Sequence, residues 1–201
     1  MRKRAVLAFV TLDGVMQAPG GPDEDPSGNF KHGGWSVGYW DDVMGKVISE
    51  QMAHAYDLLL GRKTYEIFAA YWPKARDVPG ADGLNKARKY VVSKTPRKLD
   101  WNNSVLVTGN IPEEIKKLKR QNGPELQVHG SSNLIQTLLK HDLVDEFLLK
   151  IFPVTIGYGK RLFGDGAMPA GFKLLESKSS TKGVIVATYG RDGEIKTGSF
   201  A

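Results

Sequence analysis

The 201-residue chain contains no cysteine. That absence excludes a disulfide framework, a thiolate metal site and a cysteine nucleophile, and it fits a reducing compartment. Histidine is scarce: the four in the chain are scattered, without a His-x-x-x-His pair, so no metal constellation is visible. Long apolar runs are missing as well. The first, "AVLAFV" at 5 to 10, meets Asp13 almost at once and reads as a strand rather than a signal peptide or membrane span. These absences together set the expectation of a cytoplasmic protein. Two familiar phosphate-binding signatures are also absent. No Gly-x-x-x-x-Gly-Lys-Ser/Thr occurs, and "GYGKRLFG" at 157 to 164 lacks the third glycine of a dinucleotide fingerprint.

What is present suffices for one substantial core, since 41% of the residues are hydrophobic, and no linker or repeat divides the chain. The expectation is a single domain over residues 1 to 201. A formal charge of +6 suggests attraction to an anion: nucleic acid, a membrane surface or a phosphorylated small molecule. The densest basic stretch, "KKLKR" at 116 to 120, surrounds the apolar Ile115 and Leu118 and fits the solvated face of an amphipathic helix. No nucleic-acid module matches the order of elements. A small-molecule partner is therefore expected, without nucleic acid or membrane. The apolar, strand-rich C-terminal third, with "FLLKIF", adds the expectation of a sheet-mediated homodimer.

Periodicity predicts strands at 4 to 12, 58 to 60, 89 to 93, 104 to 108 and 125 to 130. Helices are predicted over 41 to 56, from residue 62 onward, and over 111 to 123 and 131 to 143. The last third reads as strands alone, with "TKG" at 181 to 183 as a hairpin turn. Residues 17 to 35 are rich in Pro and Gly and predict a long loop, whose aromatic neighbours Phe30, Trp35, Tyr39 and Trp40 suit it to cover a ligand. Strand and helix alternating, then antiparallel strands, implies an α/β fold: one mixed, mostly parallel sheet flanked by helices.

In such a sheet, ligands sit beyond the carboxyl ends of the strands, where helix N-termini present free N–H groups. Three junctions fit: "LLLGRKT", "YVVSKT" and "LQVHGSSN". They supply Gly61, Arg62, Lys63 and Thr64; then Ser93 and Lys94, with Arg97 and Lys98 just beyond; then Gly130, Ser131, Ser132 and Asn133. Each alone is more often a helix cap than a phosphate site. Their coincidence in one sheet suggests a ligand with two or more separated phosphates.

The ordered stretches "TLDGVM", "LLLGRKTYE", "YVVSKT", "LQVHGSSNLIQTLLKHDLVDEF" and "PVTIGYGKRLF" span nearly the whole chain. In that order they resemble the dihydrofolate-reductase-like family. Within it they are most similar to the reductase domain of the bifunctional riboflavin-biosynthesis deaminase-reductase and its stand-alone relatives. The resemblance implies a three-layer fold and an NADPH-dependent reductase. It implies that Gly61, Arg62 and Thr64 face the cofactor phosphates, that Ser93 and Lys94 lie near the adenosine ribose and its 2'-phosphate, and that Gly130 to Asn133 cradle the pyrophosphate. The cations at 62, 63, 94, 97 and 98 agree with NADP rather than NAD. One departure stands out: His129-Gly130-Ser131 occupies a place where relatives commonly carry an acidic residue and two glycines. His129 is thereby a candidate substrate-binding residue, although its alternation with Glu125 and Gln127 also fits a polar, partly exposed strand end.

The implied reaction moves hydride to a C=N or C=O carbon of a small heterocycle, with a protein acid protonating the heteroatom. Candidate acids are Asp13 after the first strand and Asp41 and Asp42 at a helix start, where the helix dipole equally explains them. Trp35 and Trp40 are candidates to stack on a planar substrate. The competing expectation is a nucleotide-binding sensor without turnover.

Overall fold

The computed structural model describes residues 1–95 and 98–200, so the expectation placed on Arg97 lies outside the described residues. Strand β1 (Arg4–Thr11) runs through the middle of an eight-stranded sheet. The other elements are α1 (Asp42–Met52), β2 (Tyr56–Gly61), α2 (Arg62–Tyr71), α3 (Ala81–Lys86), β3 (Lys89–Val92), β4 (Ser104–Val107), α4 (Ile111–Arg120), β5 (Glu125–His129), α5 (Ser132–Lys140), β6 (Glu146–Phe152), β7 (Phe172–Ser179) and β8 (Ile185–Arg191). The sheet order is β4-β3-β2-β5-β1-β6-β8-β7. The first six strands pair in parallel, and β8 and β7 add antiparallel at one edge. Among the described residues no helix is long and apolar enough to cross a membrane.

Alternation on β1 sorts the layers. Val6, Ala8 and Val10 face a core built with Leu126 and Val128 of β5, Ile115 and Leu118 of α4, and Leu134, Ile135, Leu138 and Leu139 of α5. The opposite face is covered by α1 with Met44 and Val47, and by α2 and α3 with Tyr65 and Leu84. The expected mixed sheet between helical layers is therefore present.

Several elements differ from periodicity. Helix α1 stops at Met52, because Tyr56 and Asp57 already pair with Glu125 and Leu126 of β5. Helix α4 stops at Arg120, and its basic residues are solvated: Lys116 and Lys117 pair with Glu113 and Glu114 one turn back. Helix α3 is unanticipated. Its six residues include Gly83 and are too few to show a period, and burial of Ala81 and Leu84 holds it in place. The expected "TKG" turn does join β7 to β8, with Gly183 at φ +81° donating its N–H to the Ser180 carbonyl.

The N-terminal edge of the sheet is tied by charge. Arg4 binds Asp145 through two nitrogens at 2.9 and 3.0 Å, Lys119 reaches the same carboxylate at 2.7 Å, and Arg2 pairs with Asp57. Burial alone would raise the Asp145 carboxyl, but hydrogen bonds from Arg4 and Lys119 outweigh it and hold it below its usual 3.8. The stabilisation is therefore present above that value and lost as pH falls through the lowered one. Asp145→Ala leaves the buried Arg4 unpaired and is expected to cost about 3 kcal/mol in urea unfolding, with a weaker loss of stability on acidification than wild type. Lys119→Ala, at the wetter rim, should cost under about 1 kcal/mol.

Candidate functional site

At the opposite edge, two strands pass into helices with no connecting loop or only a two-residue turn. Gly61 is both the last residue of β2 and the N-cap of α2, and Gly130-Ser131 alone separates β5 from α5. Two other helices carry side-chain caps: Asp41 accepts from Met44 N at 2.9 Å at the start of α1, and Asn110 caps α4. Neither α2 nor α5 has a side-chain cap. Their first-turn amides and positive dipole ends are left open beyond the sheet.

The two uncapped turns interlock. Ser131, a residue type suited to capping its own helix, instead accepts from Gly61 N at 2.9 Å and donates to the His129 carbonyl at 3.2 Å. It does so from a left-handed backbone, φ +67°. A Cβ on Gly61 would lie 3.4 Å from Ser131 Cβ and Oγ, and one on Gly130, itself at φ +52°, would lie 3.7 Å from the Thr64 side chain. Each glycine thus faces the hydroxyl residue of the other turn. The Thr64 and Ser132 hydroxyls have no hydrogen-bond partner among the described residues, and Asn133 is exposed at the first turn of α5.

Ser93 is buried beside this edge, with its Oγ donating to the Thr95 carbonyl at 2.9 Å. It lines a pocket of about 310 Å³ together with Arg62, Tyr65, Glu66 and Lys98. Arg62 is exposed and has no ion-pair partner among the described residues; Lys94 is exposed. Lys63 turns elsewhere, bonding Asp25 of the long loop at 3.1 Å. The structure therefore brings together Gly61, Arg62, Thr64, Ser93, Gly130, Ser131, Ser132 and Asn133. Lys63 is committed to tethering the loop.

The three candidate acids are placed differently. Asp13 accepts from the Thr11 hydroxyl and from the amides of Ile156 and Gly157, at 3.2 and 2.7 Å, and the Thr11 bond first among these holds it below its ordinary value. Asp41 caps α1 and accepts from the Thr181 hydroxyl and amide, which bring it down to about 2. Both are carboxylates at neutral pH with structural partners, and neither is disposed to deliver a proton. Asp42 is exposed in the first turn of α1. Trp35 donates Nε1 to the Gln17 carbonyl at 2.7 Å and sets its ring edge-on to Phe152, as packing. Trp40 is 38% exposed and lies 6.0 Å from the Phe9 ring, centroid to centroid.

His129 is the partly exposed end of a strand face that helices otherwise cover. The row Glu125, Gln127 and His129 is turned under α1 and α2, with Gln127 buried and the His129 ring against Phe68 at 6.2 Å. Gln51 of α1 and the buried Lys150 of β6 adjoin that row. Sequence reasoning passed over Gln51, Gln127 and Lys150. The available signal was Lys150 itself, a cation at an inward position of the apolar run "FLLKIF".

Ser131→Ala removes the acceptor of the Gly61 amide and is expected to cost about 1 kcal/mol in thermal or urea unfolding. Gly61→Val should be worse, because its branched side chain would run into Ser131.

The sequence profile of the RibD C-terminal domain matches residues 5–186. The Bacillus subtilis (strain 168) protein YyaP is 31% identical over 197 residues, covering 96% of this chain and 97% of its own length. Among solved structures, a candidate riboflavin biosynthesis protein from Shewanella sp. PV-4 superposes with a TM-score of 0.65 at 22% identity, over 94% of this chain and 99% of that one. Dihydrofolate reductase from Enterococcus faecalis, complexed with NADP(H), superposes with a TM-score of 0.59 at 15% identity, over 94% of this chain and 96% of that one. The architecture is thus dihydrofolate-reductase-like.

Proposed function

Because the chain belongs to the RibD C-terminal domain family, we propose that it is an NADPH-dependent reductase acting on a C=N or C=O group of a small, uncharged heterocycle. The observation that carries this is the pair of interlocked, uncapped helix starts beside a pocket lined by Arg62 and Ser93. Anions are the ligands that open amides and dipole ends favour, and two such turns joined at Gly61 and Ser131 suit a diphosphate. The missing Cβ at Gly61 and Gly130 lets the two turns close on one another, which brings their open amides side by side.

In this arrangement the first-turn amides of α2 and α5, with Thr64 and Ser132, hold the diphosphate. Arg62, unpaired among the described residues, holds the ribose phosphate end beside Ser93, with Lys94 adding charge. The cofactor, when bound, supplies the hydride. The protein's part is to orient the two rings and keep water away, with Trp40, packed against Phe9, as a half-open aromatic surface just beyond the long loop. A homodimer is the assembly we propose, through the apolar strand-rich C-terminal third.

A sensor that binds the dinucleotide without turnover is the second reading. It is favoured by one observation: Asp13 and Asp41, two of the three candidate proton donors, are held as structural carboxylates.

Titration with NADPH and NADH, followed by tryptophan quenching, separates these outcomes. Saturable NADPH binding tighter than NADH is expected, and Arg62→Ala should weaken NADPH about tenfold while leaving NADH nearly unchanged. Absence of saturable binding would sink the cofactor assignment. Binding without NADPH oxidation across pterins, imines and carbonyls would favour the sensor.

A further inference from the structure

Strand β5 places Gln127 and His129 beside Leu58 and Leu7 of the neighbouring strands, on the sheet face beneath α1 and α2. Gln127 is buried, and its amide nitrogen donates to Glu125 Oε1 at 3.1 Å and to the Gln51 carbonyl at 3.4 Å. Reversing that amide would set its oxygen against a carboxylate and a carbonyl. Its oxygen is therefore the atom that meets His129 Nε2 at 3.0 Å. A carbonyl oxygen only accepts, so Nε2 carries a proton.

The charged and titratable groups around this ring and its Gln127 partner are Tyr56 from β2 and Lys150 from β6 at the ring and Glu125 at Gln127, with Phe68 of α2 closing the side. Burial, and then the Lys150 charge, push the His129 imidazolium down to about 3, so the ring is neutral at neutral pH. A neutral imidazole with a proton on Nε2 has a lone pair on Nδ1. No described residue donates to Nδ1. His129 is partly exposed, and its Nδ1 is not among the fully buried atoms that lack a partner, so that atom stays accessible one residue before Gly130 of the cradle.

We propose that His129 is a specificity-determining acceptor: its Nδ1 lone pair selects an uncharged N–H or O–H donor on the substrate, with Gln127 and Gln51 as positioning residues. This rests on the strand ends being the ligand site. A donor class follows from the geometry because the acceptor is fixed. Gln127 cannot release Nε2 without leaving its own amide unpaired in the interior. A cationic donor is disfavoured beside Lys150, which burial brings down to about 7 so that it carries its charge below that value, and whose Nζ donates to Gln51 Oε1 and lies 5.9 Å from the Phe9 ring centre. The substrate group at this position is then an amino, amide or hydroxyl group of a neutral heterocycle.

The tautomer is read without any ligand. Long-range proton–nitrogen correlation spectra of protein labelled with ¹⁵N-histidine, with the His129 signal identified by its loss in His129→Asn, should show a neutral ring protonated on Nε2 from pH 5 to 8. A cationic ring at pH 6, or a proton on Nδ1, overturns the proposal. Gln127→Leu should release the ring to a mixture of tautomers, which a merely structural role for Gln127 would not produce.

Ligand selection is read with 6-aminouracil and 6-(dimethylamino)uracil, which differ in their exocyclic N–H donors, titrated calorimetrically into NADP⁺-saturated protein. The amino compound should bind about tenfold tighter. His129→Asn, whose amide oxygen approximates the Nδ1 position, should keep the preference, and His129→Leu should lose it. Equal affinities, failure of both to bind, or a preference that survives in His129→Leu overturns the assignment. NADPH affinity measured on the same samples keeps this outcome separate: its absence in wild type would sink the cofactor reading while the tautomer stays readable.

Discussion

The hydrogen bond from the Gly61 amide to the Ser131 hydroxyl is the contact on which the rest of this edge depends. It joins two strand-to-helix turns that are seventy residues apart in sequence. In doing so it removes the hydroxyl best placed to cap α5, and it occupies the amide that precedes α2. Both helices consequently begin without a cap, side by side, and their dipole ends reinforce one another at one spot. The left-handed Ser131 and the bare Gly130 are the local conformational cost of that arrangement.

The sheet divides its duties between its two ends. At the amino edge, Arg2, Arg4 and Lys119 are each matched by Asp57 or Asp145, and the charges close the structure. At the carboxyl edge, Arg62 has no described partner and the helix amides stay open. Positive charge thus serves two uses in this sheet: paired at the amino edge, where it holds strands together, and unpaired at Arg62 of the carboxyl edge.

Much of this was legible in the sequence. Alternating strands and helices, the antiparallel end and two of the three strand-to-helix junctions follow from local periodicity and turn chemistry, which act over a few residues; the third expected junction, "YVVSKT", leads from β3 to β4 with no helix between them among the described residues. Helix α3 escaped because six residues carry no period, and the end of α1 because pairing of Tyr56 with β5 is a long-range event. The acids were harder. Asp13 and Asp41 have the residue type and position of proton donors, and only the distant Gly157 and Thr181 reveal that they are committed acceptors. His129 is the partly exposed strand end that alternation suggests, but its packing was hidden for the same reason. Alternation shows that Glu125, Gln127 and His129 share a face, but not that α1 and α2 will cover it.

The two acids have a joint consequence. Asp13 grips the 156–157 backbone and Asp41 grips Thr181, so the segment that runs between them is fastened at both of its feet. Its middle is held as well, by Asp25 to Lys63 and Lys160 and by Trp35 to the Gln17 carbonyl. A stretch rich in glycine and proline would ordinarily be floppy and would surrender much conformational freedom on closing over a guest. Stapled in this way, it has already given up most of that freedom during folding, so the aromatic cover behaves as prefabricated architecture rather than as a curtain to be drawn.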